Sequence, residues 1–143
     1  MRLIACRSIL LDSCFMIQCI RTLGRIEQAL SGNLVQNNST PMITRTILSE
    51  IYRLSSMLGL GEEKLETYYL LLELLFFLDD RIRKIILEAQ YIKIHPPDNL
   101  HIASAKSSGS ALISYNRLLV QNARNEGVEA YFPEEMLERI GAS

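Results

Sequence analysis

Tryptophan is absent from this chain, and cysteine, proline and glycine are scarce, at 3, 4 and 7 residues among 143. So little Gly and Pro excludes a collagen-like or low-complexity chain. The cysteines are Cys6, Cys14 and Cys19, an odd number with no CxxC pair. A disulfide framework is therefore not expected, and the spacing offers too few ligands for a structural zinc site. Reduced thiols in a reducing, cytoplasmic compartment are expected instead. A charge excess of one sign is missing as well. Fifteen basic residues face sixteen acidic ones, for a net charge of −1 and a pI near 6.1. Binding to nucleic acid through bulk positive charge is disfavoured, whereas a local basic rim remains open. Long apolar runs are lacking too. The stretch YYLLLELLFFL is interrupted by Glu73 and is too short to span a bilayer. The basic-then-apolar start MRLIACRSILL is broken by Arg7 and Asp12, with no clean small-residue cleavage site. No membrane association is expected.

What is present suits one globular domain over residues 1–143. The chain is 48% hydrophobic and 22% charged, without repeat or linker, and is long enough to bury a real core. Ser8–Leu11 is a short apolar run ending at Asp12, the pattern of a strand covered on both faces. Met16–Leu30 has helical spacing, with Ile17, Ile20, Leu23 and Ile26 on one side. After the polar loop SGNLVQNNSTP, Met42–Thr46 is expected as a strand and Leu48–Leu58 as a helix closed by Gly59 and Gly61. A helix beginning near Glu62 runs to about Leu75, then a brief strand spans Phe76–Leu78. Asp79 or Asp80 is expected to cap a helix over Arg81–Gln90. Pro96 and Pro97 precede a helix from Asp98 to Ser107, ended by Gly109. Ala111–Tyr115 and Val128–Phe132 are expected strands, flanking a helix over Arg117–Glu126. A last helix begins at Pro133. Strands alternating with helices imply a three-layer α/β/α fold with a central, mainly parallel sheet of about five strands.

In such a sheet, ligands bind beyond the carboxyl ends of the strands. Asp12 follows the first strand, Glu50 stands one turn into the helix after the second, Asp98 opens the helix before the fourth, and Asn116 follows that strand. Like charges brought together raise one another's pKa, a conflict that a hard divalent cation resolves. Such a cation can orient and polarise a phosphodiester and lower the pKa of an attacking water. Each residue also has a plainer reading. Asp12 and Asp98 suit helix caps, and a Glu early in a helix ordinarily faces water. His101 shares a side of its helix with Asp98, three residues on, which puts it within reach of the site or of a phosphate, while a packed or hydrogen-bonded structural histidine is the plainer reading. Arg45, Arg53, Arg117 and Arg124 are candidate contacts to the phosphates of a nucleic acid, with Arg117 best placed, although single arginines are more often solvated surface charges. The cluster Tyr68–Leu75 holds more apolar surface than one buried face needs, so it belongs to the core or to a partner surface, either a homodimer face, which is favoured, or a groove for another protein.

These residues resemble the PIN domain family, of the archaeal and bacterial kind related to the toxin nucleases of toxin–antitoxin pairs. The motifs are ILLDSCFMI around Asp12, ITRTILSEIYR around Glu50, and the segment from PPDNLHIASAKSSGSALISYNRLL to EAYFPEEML, with Asp98 and Asn116. The last motif is the most specific, and the likeness covers nearly the whole chain. It implies a metal-dependent ribonuclease using Mg²⁺ or Mn²⁺, with Asp12, Glu50 and Asp98 as metal ligands and Asn116 completing the catalytic set. Ser13 and Ser114 match hydroxyl positions beside the acids, and Arg117 is an accessory residue. RNA and an antitoxin protein are the implied partners. Asn116 stands where the family commonly has Asp, and Leu118 where a second acid is often found. An amide offers a cation an oxygen but no charge. The alternative is thus a catalytically degenerate PIN-like domain that binds RNA or protein. A receiver or nucleotide-binding domain fits less well, because no glycine-rich loop follows the first strand and no lysine follows Lys106.

Overall fold

A computed structural model of the chain describes residues 8–21, 28, 39–59, 61, 62, 66, 70, 73 and 75–141. Among them run β1 (Ser8–Leu11), α1 (Ser13–Arg21), β2 (Thr40–Thr44), α2 (Arg45–Met57), β3 (Phe76–Leu78) and α3 (Arg83–Tyr91). These are followed by α4 (Asp98–Ser108), β4 (Ala111–Ile113), α5 (Arg117–Asn125), β5 (Ala130–Tyr131) and α6 (Pro133–Gly141). The strands form one sheet in the order β3-β2-β1-β4-β5, and every pairing is parallel. The three-layer α/β/α architecture expected from the sequence is therefore the one observed. The connections β1→β2→β3 step one way along the sheet, while β3→β4→β5 step the other. Right-handed crossovers then place the two sets of helices on opposite faces, and α1 packs on α2 as α3 packs on α4.

Apart from Ser8 at its start, β1 is apolar throughout, as is β4, because both faces of these strands are covered. Ile9, Leu10, Leu112 and Ile113 are fully buried, joined by Ile43, Ile47 and Ile51 from β2 and α2 and by Ile102 from α4. Each such side chain contributes about 1.5–3 kcal/mol through burial. Helix α4 carries Ala103, Ser104 and Ala105 fully buried, small residues that let its backbone lie close to its neighbours. Gly109, at φ 66°, takes the left-handed turn that closes α4, and the Ser110 N–H donates to Ala105 O over 2.9 Å.

Several boundaries differ from the sequence expectation. Strand β2 starts two residues early and includes Pro41, paired with Ile9. A proline argues against a strand because it lacks a ladder donor, which is why the pattern alone favours a start at Met42. The strand then ends at Thr44, whose hydroxyl accepts from the Ile47 N–H at 3.1 Å, so α2 begins at once. The expectation that Asp79 or Asp80 caps α3 is corrected. The N-cap there is Ile82, with no side-chain bond. Asp79 accepts from Arg81, while the buried Asp80 accepts from the Thr46 N–H at 3.2 Å, at the start of α2. Asp80 satisfies a donor nearby in space, which sequence order does not reveal. Strand β4 stops at Ile113 because the Ser114 hydroxyl accepts from the Asn116 N–H at 2.9 Å, turning the chain into α5. Glu62, Glu66, Leu70 and Glu73 are helical and exposed. The remaining positions of the expected Tyr68–Leu75 face lie outside the described residues, apart from the half-buried Leu75. Among the described residues, no helix is long and apolar enough to cross a membrane.

Candidate metal and catalytic centre

The direction of chain travel reverses between β1 and β4, which lie side by side. A doubly wound sheet opens a crevice at such a point, beyond the carboxyl ends of the strands. Asp12 follows β1 and Ser114 follows β4, so both stand at its mouth. The Asp12 N–H donates to Ile113 O at 3.0 Å, carrying the ladder one residue past the strand and fixing where the carboxylate starts. Asp12 is 4% exposed. Its backbone carbonyl accepts from the Met16 N–H as α1 begins. Its side chain is engaged elsewhere: Oδ2 accepts from the Ser114 hydroxyl at 2.8 Å and from the Cys14 thiol at 3.0 Å.

Oδ1 of Asp12 faces His101, whose Nε2 is 3.8 Å away. The same Nε2 lies 2.7 Å from Glu50 Oε1. Glu50 is a carboxylate acceptor there, so Nε2 carries the hydrogen and donates it. Asp12, Glu50 and His101 each offer an atom within 4.8 Å of the other two, a spacing that a single metal ion can span. Glu50 comes from α2, six residues past its N-cap Thr44, and α4 supplies the deeply buried His101. The other ring nitrogen, Nδ1, is buried with no hydrogen-bond partner in the protein.

Asp98, at the first position of α4, belongs to the same electrostatic neighbourhood. Burial pushes its carboxyl above the ordinary aspartate range. His101 pulls it down, and the charges of Asp12 and Glu50 push it up again. Burial works against a charged His101 ring, yet the Glu50 hydrogen bond and the charges of Asp12, Glu50 and Asp98 together lift its pKa above the ordinary histidine value. Burial first, then the Asp12 charge, pushes the Cys14 thiol up to about 12, so it remains a protonated donor.

The other expected site residues are distributed around this cluster. Ser13 is buried at the first position of α1. Asn116 is exposed and caps α5: its Oδ1 accepts from the N–H groups of Leu118 and Leu119 at 3.1 and 3.2 Å. Those bonds occupy both lone pairs of its one oxygen. Arg117 is exposed, with its guanidinium 5.6 Å from the Phe132 ring centre. Arg45 and Arg53 are exposed. Arg124 is engaged with Ala130 O and Glu135. Two residues outside the expected ligand set enter the centre. The i+3 spacing of His101 from Asp98 puts it within reach of the site, although a structural histidine is the plainer reading of the sequence, and its bond to Glu50 joins helices distant in sequence. Cys14 sits two residues past Asp12, and a thiol there carries no chemical signature of its own.

A chain that brings carboxylates from β1, α2 and α4 to the switch point of a parallel sheet has known counterparts. A family model described as PIN domain matches residues 9–125. Among solved structures, VapBC2 from Rickettsia felis, bound to a DNA fragment from its promoter, aligns with a TM-score of 0.75 at 16% identity, over 87% of this chain and 98% of that one. DNA-bound VapBC from Salmonella typhimurium aligns with a TM-score of 0.71 at 19% identity, over 89% and 98%. PAE2754 from Pyrobaculum aerophilum aligns with a TM-score of 0.66 at 17% identity, over 96% and 92%. At these identities the likeness is one of fold. Among curated proteins, none matches the sequence.

Proposed function

The chain belongs to the PIN domain family, and on that premise we propose that it is a divalent-metal-dependent endoribonuclease. The observation that carries this reading is the convergence of Asp12 and Glu50 around one point, with Asp98 close enough to feel both charges. The donor set fits a hard cation. Asp12 Oδ1 and the Glu50 carboxyl supply oxygen, and the Asp98 carboxyl, held above the ordinary aspartate range by burial and also by the charges of Asp12 and Glu50, would supply a third donor. His101 is engaged in donating to Glu50. Its Nδ1 also lacks the anchoring partner that a metal-bound histidine ordinarily has. Oxygen donors thus favour Mg²⁺ or Mn²⁺.

When bound, the ion would neutralise charge on a phosphodiester and acidify a water. The chain's own residues do the rest. Ser114 and Cys14 hold one oxygen of Asp12, and His101 holds one of Glu50, so the acids are aimed before substrate arrives. Ser13 lies beside Asp12 as an accessory hydroxyl. The exposed Arg117, one residue past Asn116, supplies positive charge for a phosphate at the rim.

We further assign the chain to the cytoplasm as the toxin of a toxin–antitoxin pair. The family supports this assignment, as does the fold shared with the VapBC structures. Phe76 and Phe77 on the edge strand β3, and Ile82 and Ile86 beside it in sequence, are exposed apolar residues that an antitoxin would cover. A homodimer accompanies that assignment, as the apolar sequence Tyr68–Leu75 suggests. The second reading, a degenerate module that binds RNA or protein without cutting it, is favoured by one observation: Asn116 brings no charge to the cluster, and its oxygen is spent on α5.

The test is RNA cleavage with Mn²⁺. Asp12→Asn, Glu50→Gln and Asp98→Asn are each expected to lower the rate by about 100-fold or more. Cleavage by Asp12→Asn equal to wild type would refute the site, and a folded wild type that binds Mn²⁺ and RNA without cutting would favour the degenerate reading.

A further inference from the structure

Asp12 has two oxygens with different surroundings. Oδ1 faces His101 and the Glu50 carboxylate. Oδ2 is turned toward β4, where it accepts from Ser114 at 2.8 Å and from Cys14 at 3.0 Å. The sulfur also lies 3.2 Å from the Ser114 hydroxyl oxygen, so thiol, hydroxyl and carboxylate form one compact group. Both donors are fixed independently of Asp12. Ser114 is fully buried, and its oxygen accepts the Asn116 N–H at 2.9 Å. Cys14 is held at the second position of α1, beside Phe15, which is buried and stacked on Tyr115 with ring centres 6.1 Å apart.

A carboxylate with both oxygens free can rotate about its terminal torsion, because that torsion has only a broad, shallow preference. Two donors on a single oxygen remove that freedom. They also draw Oδ2 away from any cation in the cluster, so Asp12 presents one oxygen. Ser114 alone would leave the carboxylate free to pivot about a single bond, and the second donor fixes it.

We propose that Cys14 is a positioning residue, its thiol acting with the Ser114 hydroxyl to lock Asp12 Oδ2 so that Oδ1 alone is offered to a divalent cation. The proposal rests on the metal-site reading above and deepens it. Partners that orient a metal ligand are worth about 10–100-fold in metal affinity when removed, and the weak thiol donor belongs at the low end.

The experiment is Mn²⁺ binding to the purified full chain, followed by the loss of the free-ion electron paramagnetic resonance signal. Wild type, Cys14→Ala, Cys14→Ser and Asp12→Asn are compared, with unfolding in chelator as a check on each. Cys14→Ala and Cys14→Ser lose the same sulfur and differ only in a donor. The expected result is Mn²⁺ binding about 10-fold weaker in Cys14→Ala and largely restored in Cys14→Ser. Equal affinities for wild type and Cys14→Ala, or equal losses in Ala and Ser, would overturn the positioning role while leaving the metal site intact. Wild-type affinity in Asp12→Asn, or no binding by wild type, would instead remove the metal site itself and this proposal with it. A second measurement does not require the variants to bind metal. The infrared S–H band of Cys14, isolated by subtracting the Cys14→Ser spectrum, is expected at the lowered frequency of a hydrogen-bonded thiol. It should move toward the free-thiol position when Asp12→Ala removes the acceptor. A band unmoved by Asp12→Ala would show that the thiol does not donate to Asp12.

Discussion

His101 Nε2 stands 2.7 Å from Glu50 Oε1, joining α4 to α2 across 51 positions of the chain. The ring is 1% exposed and also lies 3.8 Å from Asp12 Oδ1. One side chain thus holds together acids that would otherwise repel each other. From the buried side, it offsets the repulsion that a cation would offset in the proposed metal site.

The first expectation concerns stability without metal. His101→Ala removes a hydrogen bond to a charged acceptor and leaves a cavity under α4, together destabilising the chain by about 2–3 kcal/mol. Urea unfolding in chelator measures this, and superimposable curves for wild type and variant would show that the contact carries no stability.

The second expectation is a pH dependence of definite sign. The His101 pKa is raised in the fold above its ordinary 6.5, by the Glu50 bond and three acids acting against burial. Such a group stabilises the fold fully below the unfolded value and loses that contribution as pH rises through the folded one. Asp98, raised from 3.8 by burial and by Asp12 and Glu50, acts in the same direction over a more acid window. In chelator, unfolding midpoints should therefore fall as pH rises above about 6.5. His101→Gln should flatten that decline. A wild-type midpoint that rises over the same range would contradict the assignment.

Much of this arrangement is legible in the sequence, because the chemistry of a parallel sheet is tied to its strand ends. Asp12, Asp98 and Asn116 follow or precede apolar runs with clear boundaries, so their edge of the sheet can be deduced. The illegible part depends on contacts between elements. Nothing local says that Asp80 satisfies Thr46 rather than its own helix, or that Glu50 turns inward to His101. Pro41 within β2 contradicts a local rule that the sheet overrides. The thiol of Cys14 gains meaning only once α1 brings it against Asp12 and β4 brings Ser114 to the same oxygen.

The third expectation separates the roles of the acids in stability and in metal binding. A ligand present at about 100 times its dissociation constant stabilises by about 2.7 kcal/mol, a melting-temperature rise of about 5–10 °C for a chain of this size. Mn²⁺ should produce that rise in wild type. Asp98→Asn should diminish it, while stabilising the metal-free chain by less than about 1 kcal/mol, because the ionised carboxyl is disfavoured where it stands. Calorimetry with and without Mn²⁺ reads both numbers. A metal-free Asp98→Asn that melts well below wild type would mean that the carboxyl is a structural cap and not a crowded member of the cluster.

The fourth expectation concerns Asn116→Asp, the change that restores the family's acid. Asn116 Oδ1 receives the N–H groups of Leu118 and Leu119 at the start of α5. Aspartate caps a helix about as well as asparagine, and its charge suits the helix N-terminus, so stability should stay within about 0.5 kcal/mol. What changes is the other terminal atom, a donating NH₂ in Asn and an accepting oxygen in Asp. One oxygen of Asp can keep the cap while the second adds negative charge past the end of β4, two residues beyond Ser114. If the missing charge is what limits the centre, the variant binds Mn²⁺ more tightly and cleaves RNA faster than wild type. If wild type already cleaves at the rate of the variant, the chain functions as an enzyme without that acid, and Asn116 is accounted for by its cap alone. A variant and a wild type that both bind Mn²⁺ yet leave RNA intact would place the chain among binding modules.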